Sequence, residues 1–132
     1  IKGEKIVVFG NGSISNRLQK EIKCDYVDTK TNKRKLKNLL SQTDCIISTL
    51  PQNESTNEYF NLKMAKQIKN PIQLISISRE KIISKEFIEE LEKNNLLQKI
   101  HLDSEHIAWK FGGVIYDKKY GLSIKKIIDE GI

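Results

Sequence analysis

Short apolar runs alternate with amphipathic stretches along this chain, and the alternation predicts most of its elements. Residues 5–9 (Lys-Ile-Val-Val-Phe) are apolar and β-branched with no polar alternation, and they stop at Gly10; this predicts a strand buried on both faces. Ile14, Leu18 and Ile22 then recur at helical spacing, the stripe of an amphipathic helix opening near Ser13. Residues 25–28 read as a second short strand. Leu36, Leu39 and Leu40 make one face of a helix, and residues 45–50 form a third buried strand stopped by Pro51. Beyond a polar loop, Leu62, Ala65 and Ile68 predict another helix, ended by Pro71, and residues 72–77 a fourth strand. Ser84 is a good N-cap for a helix whose apolar face is Phe87, Ile88 and Leu91. Residues 100–102 predict a fifth strand. The stretch from Trp109 to Tyr120 has no readable period, and residues 122–130 predict a terminal helix.

Strands that alternate with helices of this length are βαβ units, which require parallel pairing and right-handed crossovers. The expected fold class is therefore α/β: a Rossmann-type doubly wound parallel sheet of at least five strands in three layers, with the first strand central. A chain of 132 residues holds one such domain. Residues 1–108 are expected to form it, with residues 109–132 a tail and helix packed on the same domain.

The turn after the first strand carries the chemistry. Gly10-Asn-Gly12-Ser-Ile-Ser15 joins a buried strand directly to a helix, the context a dinucleotide fingerprint requires. Gly10 permits the tight turn, Gly12 lets the backbone approach a pyrophosphate, and Ser13 and Ile14 supply the first helical turn whose free N–H groups face it. The usual third glycine is Ser15, still small enough for close helix–strand packing. Such a turn can also be purely structural, and the βαβ order around it favours the nucleotide. Asp28 ends the second strand, where a carboxylate normally receives the adenosine ribose hydroxyls, although it comes sooner than the usual interval of about 20 residues. A turn-capping Asp is the plainer reading of it. Lys30, Lys33 and Arg34 follow and offer a 2′-phosphate site, so NAD is the expected cofactor with NADP the alternative.

Composition narrows the field. The formal charge of +6 and a pI near 9.3 suit nucleic acid. The excess, however, is scattered Lys, and the dense run at residues 30–37 has no interleaved aromatics for base stacking, so no nucleic-acid partner is expected. Cys24 and Cys45 stand outside any metal-ligand spacing and read as small buried hydrophobes; no metal site is expected. No apolar run reaches membrane-spanning length, which points to a cytoplasmic protein without a membrane partner.

Four stretches then read as one pattern. The chain opens Ile-Lys-Gly before the first strand and the Gly10/Gly12 turn; Asp44 precedes the third strand, with Pro51, Thr56 and Asn61 after it; Leu74 runs without a gap through Arg79 to Leu91; and Leu102-Asp103 closes the series. This resembles the coenzyme domain of the D-isomer-specific 2-hydroxyacid dehydrogenases, of the phosphoglycerate or glycerate dehydrogenase kind. The match covers residues 1 to about 108 and is strongest over residues 44–103.

The resemblance implies roles. Arg79 would grip the carboxylate and carbonyl oxygen of a small 2-oxo acid, a task suited to a planar guanidinium with two parallel donors. Asp103 would accept from the nicotinamide carboxamide, and Pro51 and Ser78 would line the cofactor cleft. The family's catalytic Glu falls on Ala108 in register, and its His belongs to a segment further downstream. Here His106 arrives at once, beside Glu105, and is the candidate general acid/base. Ser76 stands for the family's Asn, and Glu80 for the Gly that follows the arginine. The implied activity is hydride transfer between a nicotinamide cofactor and a 2-oxo or 2-hydroxy acid, in a homodimer paired through coenzyme domains. The alternative is a non-catalytic nucleotide-binding regulatory module with the same fold. Family members also carry a second, substrate-closing domain, so the chain is expected to be an excised or degenerate coenzyme domain or part of a longer protein.

Overall fold

The computed structural model describes residues 5–51, 53–78, 80–102, 110–111, 114–115 and 122–123. Along the chain come β1 (Ile6–Phe9), α1 (Ser13–Glu21), β2 (Asp25–Val27), α2 (Lys33–Leu40), β3 (Cys45–Ser48), α3 (Leu62–Ala65), β4 (Ile72–Ser76), a 3₁₀ turn (Glu80–Ile82), α4 (Lys85–Lys93) and β5 (Leu97–Leu102). β6 (Lys110–Phe111) and β7 (Val114–Ile115) pair antiparallel, and β8 (Leu122–Ser123) follows.

The main sheet has the order β2-β1-β3-β4-β5-β8, every pair parallel. This is the Rossmann-type sheet expected. β1 is flanked on both sides, yet it sits second from the edge, because α2 carries the chain from β2 back across β1 to β3, with no strand beyond β2 among the described residues. That reversal of direction makes the carboxyl ends of β1 and β3 the place where an open sheet leaves a crevice. The register sharpens it: Phe9 is level with Val27 on one side and Ser48 on the other, so Gly10, Asp28 and Thr49 emerge side by side.

Strand alternation divides the apolar residues between two cores. On one face Val7, Phe9, Ile46 and Leu74 pack with Leu40 of α2, Met64 and Ala65 of α3, and Phe87, Ile88 and Leu91 of α4. Phe60 sits between Phe9 and Phe87, edge-on to each, with centroids 4.8 and 5.5 Å away. Each contact of this kind adds about 1 kcal/mol beyond its buried area. On the other face Ile6, Val8, Cys45, Ile47 and Ile75 meet Leu18 and Ile22 of α1. Tyr26 and Cys24 flank this smaller core; burial, then the neighbouring thiol, push the Tyr26 phenol up to about 12.

Four expectations change. Ile14, read as part of the α1 stripe, is 51% exposed, and the residue α1 buries in its first turn is Ser15. The helix expected through Ile68 is a single turn: the Gln67 and Ile68 amides reach back three residues instead of four, to Met64 (3.0 Å) and Ala65 (3.2 Å), tightening the coil before Pro71 can end it. β5 starts earlier, at Leu97. Asn95 adopts a left-handed conformation (φ 57°), and the Leu96 N–H returns to the Leu91 carbonyl at 2.8 Å, a Schellman closure that turns the chain straight into the strand. Finally, Leu122 and Ser123, placed in a terminal helix from sequence, form a strand beside His101 and Leu102, because the open edge of β5 offers unpaired backbone groups that a nearby segment satisfies. The rest of that expected helix lies outside the described residues. Among the described residues no helix is long and apolar enough to cross a membrane.

Candidate nucleotide site at the carboxyl edge

The two glycines of the β1–α1 turn are required for different reasons. Gly10 has φ +132°, a conformation side chains rarely adopt, and a Cβ there would run into Thr49 Oγ1. Thr49 is held against this point by both its backbone N–H and its hydroxyl, which donate to the Phe9 carbonyl at 2.8 and 2.9 Å. The Gly10 N–H donates to Val27 (2.8 Å), and the buried Ser15 hydroxyl donates to the Gly10 carbonyl (2.8 Å). Ser15 thus does more than replace a third glycine: it ties the first turn of α1 back to the strand end. Gly10 belongs to the fold.

Gly12 does not. It is the N-cap of α1, with an ordinary φ of −84°, and a Cβ built on it meets nothing within 4 Å. Among the described residues no side chain caps α1. The other helices are capped: Asn32 accepts from Arg34 and Lys35, Asn61 from Met64, and Ser84 from Phe87. Among the described residues the first amides of α1 therefore have no side-chain partner, and Ile14 is exposed beside them. A helix start with free N–H groups and no side chain in the way fits a pyrophosphate.

Asp28 follows β2 at the same edge and is half-buried. Its Oδ1 accepts the Lys30 N–H at 2.8 Å, the turn-capping role, while among the described residues Oδ2 takes no hydrogen bond. Across the crevice, the loop after β3 is closed on itself. The Asn53 side chain accepts from Ser55 and Thr56 amides, and the buried Thr56 hydroxyl donates to the Pro51 carbonyl at 2.6 Å. Pro51 is exposed on this wall. Ser78, at the end of β4, is buried and engaged: it donates to the Leu50 carbonyl (2.8 Å) and lies 2.7 Å from the Ser48 hydroxyl. Since Ser78 has one proton and Leu50 takes it, the Ser48 hydroxyl donates to Ser78. This relay pins Leu50, and hence Pro51, to the strand that leads to Arg79.

The structure brings Gly10, Gly12, Ser13, Ile14, Asp28, Pro51 and Ser78 to one edge of the sheet. Arg79, Asp103 and His106 lie outside the described residues. Thr49, Tyr59 and the Ser48–Ser78 relay had no signal in the sequence, because each gains its meaning from a partner distant along the chain. The basic run instead lines an open depression of about 680 Å³ on the outer side of α2, formed by Asn32, Arg34, Lys35, Lys37, Asn38 and Ser41. None of these residues belongs to the loops after β1 or β3. Among the described residues no cluster of potential metal ligands occurs.

Sheet order, switch point and uncapped glycine turn together define a dinucleotide-binding α/β domain. Residues 1–106 match the family model for the D-isomer specific 2-hydroxyacid dehydrogenase NAD binding domain. The chain belongs to that family. No curated protein sequence matches it. Among solved structures it is similar to the apo form of D-mandelate dehydrogenase from Rhodotorula graminis, with a TM-score of 0.65 and 18% identity over 76% of this chain and 34% of that one. It is also similar to an NADPH-dependent glyoxylate/hydroxypyruvate reductase from Sinorhizobium meliloti, at TM-score 0.63 and 17% identity over 76% of this chain and 46% of that one. An NAD-complexed D-isomer specific 2-hydroxyacid dehydrogenase from Lactobacillus delbrueckii ssp. bulgaricus gives TM-score 0.63 and 17% identity over 76% and 34%. The chain spans between a third and a half of the length of these structures.

Proposed function

We propose that this chain is the nucleotide-binding part of an oxidoreductase that interconverts small 2-oxo and 2-hydroxy acids, with NAD as its preferred cofactor. The observation that carries the reading is Gly12: among the described residues neither backbone strain nor any neighbour demands glycine there, and the amides it leaves uncapped are what a pyrophosphate needs. Gly12, Ser13 and Ile14 hold the phosphates on the turn that Gly10 shapes, and Asp28 holds the ribose; Pro51, Ser78 and Asp103 border the nicotinamide end. The bound nicotinamide supplies the hydride. Arg79 holds the acid, and His106 exchanges the proton at its carbonyl oxygen. The Asp28 carboxylate, whose Oδ2 takes no hydrogen bond from another described residue, supports NAD over NADP, since a 2′-phosphate would set like charge against it. Lys30, Lys33 and Arg34 are the groups through which NADP would be accepted instead.

The proposal extends to a cytoplasmic homodimer; light scattering giving a monomer across micromolar concentrations would refute the dimer. Ala108, standing where the family has its Glu, favours a second reading, a regulatory module that binds nucleotide without turnover. Calorimetric titration with NADH and NADPH tests the binding. A spectrophotometric screen of 2-oxo acids separates the two readings: turnover lost in both Arg79→Lys and His106→Ala supports the enzyme, and nucleotide binding without turnover supports the module.

A further inference from the structure

The loop after β3 brings one aromatic side chain to the carboxyl edge that the preceding reading does not use. Tyr59 is half-buried, its ring edge-on to Phe9 (centroids 5.9 Å apart, planes at 70°) and to Phe60 (5.5 Å, 85°). Phe9 is the last residue of β1 and is level with Val27, the last of β2, so Asp28 follows the strand beside the one against which Tyr59 packs. The phenol lies within the field of that carboxylate: burial first, then the Asp28 charge, raise it above the usual tyrosine range. The backbone on either side is fastened, with the Tyr59 N–H on Thr56 (3.0 Å), Glu58 on Lys81 (2.7 Å) and Phe60 on Ile82 (3.0 Å). The ring is thus held in place by the fold. Among the described residues no hydrogen bond uses the Tyr59 hydroxyl, and none uses Asp28 Oδ2.

One donor and one acceptor are therefore brought to the same carboxyl edge, and neither is spent on another described residue. We propose that Tyr59 and Asp28 form a two-sided clamp for the adenosine ribose diol, Tyr59 donating to a ribose oxygen while Asp28 accepts from a ribose hydroxyl. A carboxylate can only accept and a phenol can donate, so the pair matches a vicinal diol, which offers both. A single carboxylate would leave one of those oxygens without a donor. Tyr59 is a specificity-determining residue on this view, and the assignment rests on the nucleotide reading above.

The probes are ADP-ribose, which carries the diol without the nicotinamide, and the same nucleotide lacking the 2′ and 3′ hydroxyls on its adenosine, each titrated calorimetrically into the full chain. Tyr59→Phe keeps the ring packing and removes the donor. It should weaken ADP-ribose about five- to tenfold while leaving the dideoxy probe unchanged, and Asp28→Asn in the same chain should add less than its separate effect. Equal affinity of wild type and Tyr59→Phe for ADP-ribose, or an equal loss for both probes, would overturn the clamp while leaving the nucleotide site standing. Wild type that binds neither ADP-ribose nor NADH would overturn both. Carbon-13 tyrosine resonances give a check independent of ligand: the Tyr59 titration should move down in Asp28→Asn, and an unmoved titration would show that the two groups do not face each other.

Discussion

The amino end of α1 and the amino end of α4 solve the same problem in opposite ways. Each helix presents first-turn N–H groups with no partner inside the helix. At α4 the protein supplies one: Ser84 is buried and its hydroxyl accepts the Phe87 N–H at 3.2 Å, with Glu86 adding negative charge in the first turn. At α1 the capping residue is Gly12, which has no side chain to offer, and no acidic residue follows. The difference is not one of backbone geometry, since both capping residues are extended, with φ of −84° and −78°. A helix start with no side-chain cap among the described residues, beside a close-packed core, is what the proposed phosphate site requires.

The comparison can be broken at several points. The largest effect belongs to Gly10, which supports the turn without facing the ligand. Gly10→Ala forces a strained φ and drives a methyl into Thr49, for a loss of about 3–5 kcal/mol and a fall in Tm of roughly 10–20 °C, read by thermal melting. An Ala variant as stable as wild type would mean that the turn is not held as described. Next comes Gly12→Val. Stability should shift by less than about 1 kcal/mol, because the added side chain enters open space, but NADH affinity should drop about 100-fold or more. Val at this position with undiminished affinity would remove the support for the phosphate site.

The capped ends should respond in the reverse sense. Ser84→Ala should cost about 1 kcal/mol in urea melts and leave nucleotide affinity unchanged, as should Asn32→Ala. A large affinity loss in either would undo the contrast between structural and ligand-facing helix starts. The smallest effect sharpens it most: Gly12→Ser gives α1 the cap it lacks and should raise stability by a few tenths of a kcal/mol while lowering nucleotide affinity. Gain and loss in one variant would show that the missing cap is a functional feature; a variant improved or unchanged in both would show that it is not.

The apolar rhythm of the chain determined by itself the order of strands and helices through β5, the parallel class, and the placement of Gly10 and Gly12 in the β1–α1 turn. Those features follow from nearest-neighbour chemistry: β-branched runs, helical spacing, a serine before Phe87, and a glycine where a strand must turn into a helix. Tertiary structure decided what the periodicity could not carry. Ile14 and Leu18 share a helical stripe, yet only Leu18 packs on the sheet. Leu122 and Ser123 have helical surroundings in sequence, yet an open strand edge claims them. Which glycine the fold itself demands depended on Thr49, 39 residues from Gly10, pressing on one and leaving the other open. The clamp proposed for Asp28 and Tyr59 depends on the parallel register that brings the ends of β1, β2 and β3 level. Local pattern specifies which groups exist; packing between distant segments specifies which of them remain unspent, and a binding site is built from those.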